Sequence, residues 1–408
     1  MIQKMGGRRL LVVCLLLFAT SVSCIPPEGV DRIAAPYTED TIRYHLESMF
    51  SRAASNILSS TEPGLLADQD LGEIGLADEY FVFKGQGQRL SKELTAARAH
   101  DTGTMNILSD QLDWARGRRQ LLKGQVESII TKQVGEALLA EGLEPPNIPQ
   151  GANWSFPPST FFLLKPPFVL VVSPRDRIEI TSSYLLASQL SLSTIEGIES
   201  QVEGEGVSAL VEGTGGFSLY PAWVSEDETL RQTLEIVAHE WTHAYLFLFF
   251  PLGRAYFQDY QMRTMNETVA DIVGREIGER VYRQYYAALE PPAPQAAAAA
   301  VGERDSDFGR QLRSIRVAVE TMLTESRVEE AEVYMEVERK RLVDKGYYLR
   351  RLNQAYFALH GTYATSPGFE SAIGTELKAI RAKSSTLGEF VRLVGNVANP
   401  GDLPHLSD

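Results

Sequence analysis

Cysteine is scarce in this chain. Only two cysteines occur among its 408 residues, Cys14 and Cys24, and both lie near the N-terminus. If Cys14 belongs to a removed leader, Cys24 is the single cysteine of the mature protein. An intramolecular disulfide is then excluded.

Basic residues and long apolar runs are also few. The chain has 39 Lys and Arg against 53 Asp and Glu, and removal of residues 1–23 leaves 36 against 53, a net charge of −17. Such an acidic balance argues against a nucleic-acid partner and against an electrostatic grip on anionic lipid. After the first 23 residues no apolar run is long enough to span a bilayer, and residues 245–252 are read as core.

The N-terminus has the pattern of a targeting segment. Basic residues precede a short apolar run at 10–19, which predicts a signal peptide at 1–23. The sequence Ser21-Val22-Ser23-Cys24 resembles the bacterial lipoprotein signal, although Ser21 stands where leucine is usual. This resemblance implies lipidation of Cys24, export, and anchoring on the extracytoplasmic side of a bacterial membrane. Ordinary signal cleavage and a retained N-terminal anchor are the alternatives.

Histidine is rare as well, but two of the six histidines stand in one motif, His239-Glu240-Trp241-Thr242-His243. Apolar residues at three- and four-residue steps predict a helix here, beginning at a capping box at 225–228 and ending at Pro251. Residues four apart share a helix face, so both imidazoles can bind one metal ion. Glu240 lies beside them as a candidate general base. The alternative is a pair of structural histidines.

A second motif follows at Asn266-Glu267-Thr268-Val269-Ala270-Asp271. H-E-x-x-H followed by N-E-x-x-A-D resembles the gluzincin zinc metallopeptidases, the thermolysin-like and aminopeptidase-like branch. The resemblance implies that His239, His243 and Glu267 bind Zn²⁺, and that Asp271 holds a ligand histidine, His239, in its tautomer. Glu267 also fits a capping box that begins at Thr264, so capping of its own helix is the alternative.

Two further segments are candidates for substrate binding and catalysis. Gly215, Gly216 and Tyr220 precede the motif helix, in the region where gluzincins carry an edge strand that pairs with the peptide substrate. A simple hairpin turn is the alternative. His360 and Tyr363 are candidate donors to the oxyanion that develops on an attacked carbonyl. Packing residues at helical spacing are equally compatible with this segment.

The remaining pattern predicts an α+β protein that is mainly helical, with a small mixed or antiparallel β-sheet packed on the motif helix. Strands are expected at 161–164, 168–172 and 177–181, and helices at 39–60, 89–142 with a break at Gly103, 184–200 and 305–346. The expected organisation is a signal peptide at 1–23, a tether at 24–38, an N-terminal helical region at 39–144, a catalytic core at 145–290, a low-complexity loop at 291–304 and a C-terminal helical region at 305–408.

Two functions from different classes fit these observations. The first is a zinc peptidase that cleaves peptide or protein substrates, with Glu240 as general base and the choice between endopeptidase and aminopeptidase action left open. The second is a catalytically silent zinc-binding envelope lipoprotein that acts as a binding or assembly module. The intact Glu240 favours the peptidase, since a purely structural site needs no base.

Overall fold

A computed structural model of the chain describes residues 29–38, 72–97, 102–146, 155–218, 220–289, 295–366 and 368–403. The predicted signal peptide, Cys24 and the helix predicted at 39–60 lie outside the described residues. In the described part, no helix is both long enough and apolar enough to cross a membrane.

The described chain is mainly helical and carries two small sheets, which confirms the predicted α+β class. The helices are α1 (29–38), α2 (Glu73–Ala97), α3 (Thr102–Ala140), α4 (Leu192–Glu203), α5 (Leu230–Phe249), α6 (Pro251–Arg254), α7 (Tyr260–Tyr285), α8 (Gln295–Thr324), α9 (Val328–Asp344), α10 (Gln354–His360), α11 (Ala372–Lys383) and α12 (Leu387–Gly395). The strands are β1 (Phe161–Leu164), β2 (Phe168–Ser173), β3 (Ser182–Leu186), β4 (Ser208–Gly213), β5 (Gly216–Phe217) and β6 (Ala222–Ser225).

The first sheet is mixed and packs on α5. Its strand order is β1-β6-β5, with β1 parallel to β6 and β5 antiparallel to β6. Phe161, Leu163 and Val224 of this sheet share one buried cluster with Val237 and Trp241 of α5. The predicted sheet beneath the motif helix is therefore present, and β5 forms its edge next to α5.

The second sheet is antiparallel, in the order β3-β2-β4, and is buried on both faces. Leu170 and Val172 of β2 face a cluster with α1 and α4, whereas Val171 between them faces a cluster formed with α8, α9 and α10. This alternation follows from the two-residue period of a strand. It explains why β2 is almost continuously apolar.

The central helices α5 and α7 cross at unusually short range because two glycines of α7 lie at the crossing. A Cβ on Gly274 would lie 2.8 Å from the carbonyl oxygen of Glu235 and 3.1 Å from the Cβ of His239. A Cβ on Gly278 would lie 2.9 Å from the Cα of Glu235. Only glycine permits this approach, which brings Glu267 of α7 to the histidines of α5.

Two boundaries of the predicted organisation were wrong. Residues 29–38 were assigned to a tether, but they are helical, and Val30 and Ala34 are buried against the second sheet. The low-complexity segment at 291–304 was expected to be a loop or the frayed start of a helix, and α8 begins inside it, at Gln295. Five consecutive alanines follow Gln295, and alanine has the highest helix propensity.

Several local predictions also need correction. Residues 177–181 are not a strand; β3 begins directly after them, at Ser182, because the antiparallel register with β2 selects that segment. The helix predicted at 184–200 begins only at Leu192, after Ser191 as N-cap. The long helix predicted at 305–346 is two helices, which separate at Ser326, where φ is +60°.

Candidate metal centre

The motif helix begins after the capping box that the sequence predicts at 225–228. Its N-cap is Thr229, which forms a reciprocal capping box with Gln232, whereas Ser225 ends β6. From there α5 runs without interruption through His239, Glu240 and His243. The buried stripe of α5 fixes the helix against the core, so the motif side chains project from a rigid element.

Glu267 does not cap its helix. The N-cap of α7 is Asp259, whose carboxylate accepts hydrogen bonds from the backbone N–H groups of Gln261 and Met262. Glu267 lies eight residues further on, in the helix interior, and its side chain is directed to α5. The capping alternative for Glu267 is therefore excluded.

The three predicted ligand atoms form a compact triangle. The Nε2 atoms of His239 and His243 lie 3.0 Å apart, and the Oε2 atom of Glu267 lies 3.4 Å from each of them. Tetrahedral zinc with bonds of about 2.0–2.1 Å separates its ligand atoms by about 3.3 Å. Among the described residues, His239, His243 and Glu267 form the group that could hold a metal ion.

Hydrogen bonds fix the orientation of His243. Its Nδ1 lies 2.6 Å from the Oδ1 of Asn266, and the Nδ2 of Asn266 donates to the carbonyl of Leu252 at 3.3 Å. The amide is thereby oriented with its oxygen towards the ring, so Nδ1 of His243 donates to it and Nε2 is the ring nitrogen left to bind a metal ion. A partner of this kind is typical of a metal-binding histidine.

The electrostatics of the triangle favour a positive charge at its centre. Burial disfavours the charged form of His243, but the carboxylate of Glu267 outweighs it and raises the pKa of His243 to about 9. Burial acts to raise the pKa of Glu267, but His243 and His239 outweigh it and hold that pKa well below its usual value. The Oε2 atom of Glu267 is buried without a hydrogen-bond donor among the described residues. These donors fit a cation.

Tyr256 is a site residue that the motifs did not indicate. Its hydroxyl donates to the Oε1 atom of Glu267, and its ring stands edge-on to His243 with centroids 5.8 Å apart. Burial and the nearby Glu267 carboxylate raise the pKa of Tyr256 well above its usual value, so the hydroxyl keeps its proton. Tyr256 lies between α6 and α7, outside any periodic pattern, so only the folded structure brings it to the ligands.

Glu240 lies beside the triangle and beneath the edge strand. A Cβ on Gly216 would lie 2.5 Å from the Oε1 of Glu240, so the backbone of β5 touches the carboxylate. A Cβ on Gly215 would lie 3.2 Å from Ile236, one turn earlier on α5. Tyr220 lines a narrow crevice that also reaches Glu240. Glu240 is only 7 % exposed, and burial raises the pKa of its carboxyl.

The two candidate oxyanion donors lie in different environments. The ring of Tyr363 is 6.1 Å from that of His239, and the charges of Glu267 and Glu240 contribute to raising its pKa well above the usual value. His360 instead lies against the ring of Tyr356, with ring centroids 4.2 Å apart, and burial alone lowers its pKa to about 4. The structure brings Tyr363 to the triangle and leaves His360 in an apolar cluster.

Asp271 does not contact His239, contrary to the role carried over from the resemblance. Its Oδ2 accepts a hydrogen bond from the hydroxyl of Thr365 at 2.9 Å and pairs with Arg275 at 2.8 Å. Among the described residues, the histidine with a side-chain partner of that kind is His243, and the partner is Asn266. The motif residue that orients a ligand is thus the first one, not the last.

Comparisons with known proteins assign no family to the chain. No protein-family model, no curated protein and no solved structure matches it. The function must therefore be inferred from the residues of the site.

Proposed function

We propose that this chain is a zinc-dependent peptidase of the gluzincin type. The observation that carries the proposal is the triangle of His239, His243 and Glu267, with Glu240 adjacent to it. The ligand spacing fits tetrahedral zinc, and the ligand set of two imidazoles and one carboxylate without a thiolate is that of catalytic zinc. A structural zinc site would not need the neighbouring Glu240.

Zinc, when bound, polarises a carbonyl and makes water more acidic. Glu240 accepts the proton of the attacking water and returns it to the leaving amine. Its buried setting raises its pKa above that of a free carboxyl, and this direction suits a group that must both take and release a proton.

The chain's own donors and backbone complete the proposed reaction. Tyr363 keeps its proton at neutral pH, so its hydroxyl can donate to a developing oxyanion, whereas the hydroxyl of Tyr256 donates to Glu267. In this proposal the free edge of β5, at Gly215 and Gly216, pairs with the backbone of an extended peptide. The absence of side chains at both glycines lets this backbone lie directly against Ile236 and Glu240, so a peptide paired with β5 would lie close to Glu240.

A second candidate is a metal-binding envelope protein without catalytic activity. The low exposure of Glu240, 7 %, favours it, because a general base must be reached by water. The two candidates therefore differ in whether Glu240 acts on a bound peptide.

One experiment separates the two candidates. Purified wild type, Glu240→Gln and a surface control, Glu196→Gln, are assayed for zinc content and for cleavage of a mixed peptide library. About one zinc per chain is expected in all three proteins, with cleavage in the wild type and the control only. Activity in Glu240→Gln would exclude the assigned base, and zinc without cleavage in every protein would favour the binding protein. The cut positions distinguish endopeptidase from aminopeptidase action.

For the location of the protein, we propose export and lipid anchoring at Cys24. The residues Ser21-Val22-Ser23-Cys24 support this, together with the absence of any other cysteine in the mature chain. In a bacterial host, the full chain is expected in the membrane fraction with incorporated fatty acid. Cys24→Ser should remove the fatty acid, and labelling that persists in this variant would exclude the anchor.

A further inference from the structure

Tyr363 lies in the turn that follows α10. One face of α7 forms hydrogen bonds with the residues before and after Tyr363. The buried hydroxyl of Thr268 donates to the carbonyl of Thr362 at 3.1 Å and accepts from the backbone N–H of Ala364 at 3.1 Å. A single side chain thus satisfies the backbone groups immediately before and after Tyr363. An unmade hydrogen bond at such a buried position is costly, so the contact defines the path of the turn.

One helical turn further along α7, Asp271 contacts the same segment of the chain. It accepts a hydrogen bond from the hydroxyl of Thr365 at 2.9 Å, and Arg275 both pairs with Asp271 at 2.8 Å and donates to the hydroxyl of Ser366 at 3.3 Å. Positions 268, 271 and 275 are three and four residues apart and therefore lie on one helix face. That face holds residues 362–366.

The same helix supplies the ligand Glu267, which precedes Thr268 directly. A ligand and the support of Tyr363 therefore belong to one rigid element, and their separation does not depend on a flexible loop. We propose that Thr268 and Asp271 are positioning residues that hold the hydroxyl of Tyr363 towards the metal ligands. The inference rests on the proposed peptidase function. It gives Asp271 a role different from that of a histidine partner.

A spectroscopic experiment tests the positioning without any need for activity. The protein is labelled with 3-fluorotyrosine, and the ¹⁹F resonance that is missing in Tyr363→Phe is assigned to Tyr363. Thr268→Val and Asp271→Asn are expected to shift or broaden this resonance, whereas Thr268→Ser restores the hydroxyl and the wild-type signal. Thr321→Val is the matched control, because its hydroxyl bonds only within α8, to Val317. An unmoved Tyr363 resonance in both Thr268→Val and Asp271→Asn overturns the proposal.

Kinetics supply a second, independent readout. With zinc content unchanged, Thr268→Val is expected to lower kcat about 10- to 100-fold, the effect of a small misplacement of a catalytic group, and to leave KM nearly constant. In a Tyr363→Phe background the same substitution should have little further effect, since the group that it positions is already gone. If the two substitutions lower kcat independently, so that their fold-losses multiply in the double variant, the proposal is overturned. A wild type without peptidase activity contradicts the proposed function alone, because the ¹⁹F result still decides the positioning.

Discussion

Substitution of Gly274 by alanine tests whether the close crossing of α5 and α7 sets the metal centre. The new Cβ would lie 2.8 Å from the carbonyl oxygen of Glu235, whereas ordinary contact begins at 3.4 Å. The helices must therefore separate locally by about 0.6 Å, the difference between these distances, while a metal site tolerates changes of only about 0.2 Å in its bonds. Since Glu267 lies on α7 and both histidines lie on α5, the separation acts directly on the triangle.

Two opposing effects determine the stability of Gly274→Ala. Overpacking of this kind costs about 1–3 kcal/mol, and alanine in a helix recovers about 0.5–1 kcal/mol relative to glycine. We therefore expect a small net destabilisation of the metal-free protein, by about 1–2 kcal/mol. The loss of zinc affinity should be larger than tenfold, which corresponds to about 1.4 kcal/mol.

The assay combines zinc competition with a chromophoric chelator and urea unfolding of the metal-free protein. Gly197→Ala is the matched control: this glycine also lies inside a helix, but a Cβ there would meet no atom within 4 Å. The control should keep the wild-type zinc affinity and gain about 0.5–1 kcal/mol of stability. If Gly274→Ala binds zinc as tightly as the control, the helix spacing does not set the ligand geometry and the reasoning fails.

Three further predictions concern residues around the site and its supports. Asn266→Ala should lower zinc affinity about 10- to 100-fold with the fold retained, because His243 loses the partner of its Nδ1, and chelator competition measures it. Burial keeps His360 neutral in the folded state down to about pH 4, whereas the unfolded chain binds its proton near the usual pKa of about 6.5. Metal-free wild type should therefore lose up to about 2–3 kcal/mol between pH 6.5 and 4 that His360→Phe does not lose, and equal urea midpoint shifts in both would exclude this. The hydrogen bonds from Arg175 lower the pKa of Glu332, so this pair stabilises the fold above the unfolded pKa and its contribution disappears as the pH falls through the folded one. Glu332→Gln should thus be slightly less stable than wild type at pH 7, and the difference should shrink as the pH falls, while a difference that does not change with pH would argue against the ion pair.

The parts of the site that could be predicted from sequence are those that a helix defines by itself. His239 and His243 are four residues apart, and helix geometry alone places both imidazoles on one face. The apolar period around them also predicts which side of α5 faces the core. Glu267 could be identified as a ligand only from the second motif. Its distance from the histidines could not be predicted, because it depends on Gly274 and Gly278, which matter only where α7 lies against α5.

The pairing of strands is harder to predict from sequence, because a strand needs partners that lie far away in the sequence. Residues 177–181 alternate as a strand would. Ile178 and Ile180 are partly buried against the cluster that Val171 forms with α8, α9 and α10, but they belong to an irregular segment. The segment chosen as β3 begins at Ser182, where it pairs with Val172 of β2. An alternating pattern thus predicts which side chains are buried more securely than it predicts the hydrogen bonds of their backbone.

His360 and Tyr363 show why spacing alone could not separate a candidate catalytic residue from a packing residue. Both were candidates because they lie C-terminal to the two motif helices, where gluzincins carry such donors. They are three residues apart, a spacing at which side chains share a face only while the helix continues. The helix ends at His360, and Gly361 turns the chain at a point where a Cβ would lie 2.6 Å from the carbonyl of Phe357. His360 therefore stays on α10 beside Tyr356, one helical turn earlier, whereas Tyr363 lies in a turn that hydrogen bonds with α7 hold in place. The side chain that reaches the ligands is selected by the end of one helix and the polar face of another, and neither is encoded within the segment itself.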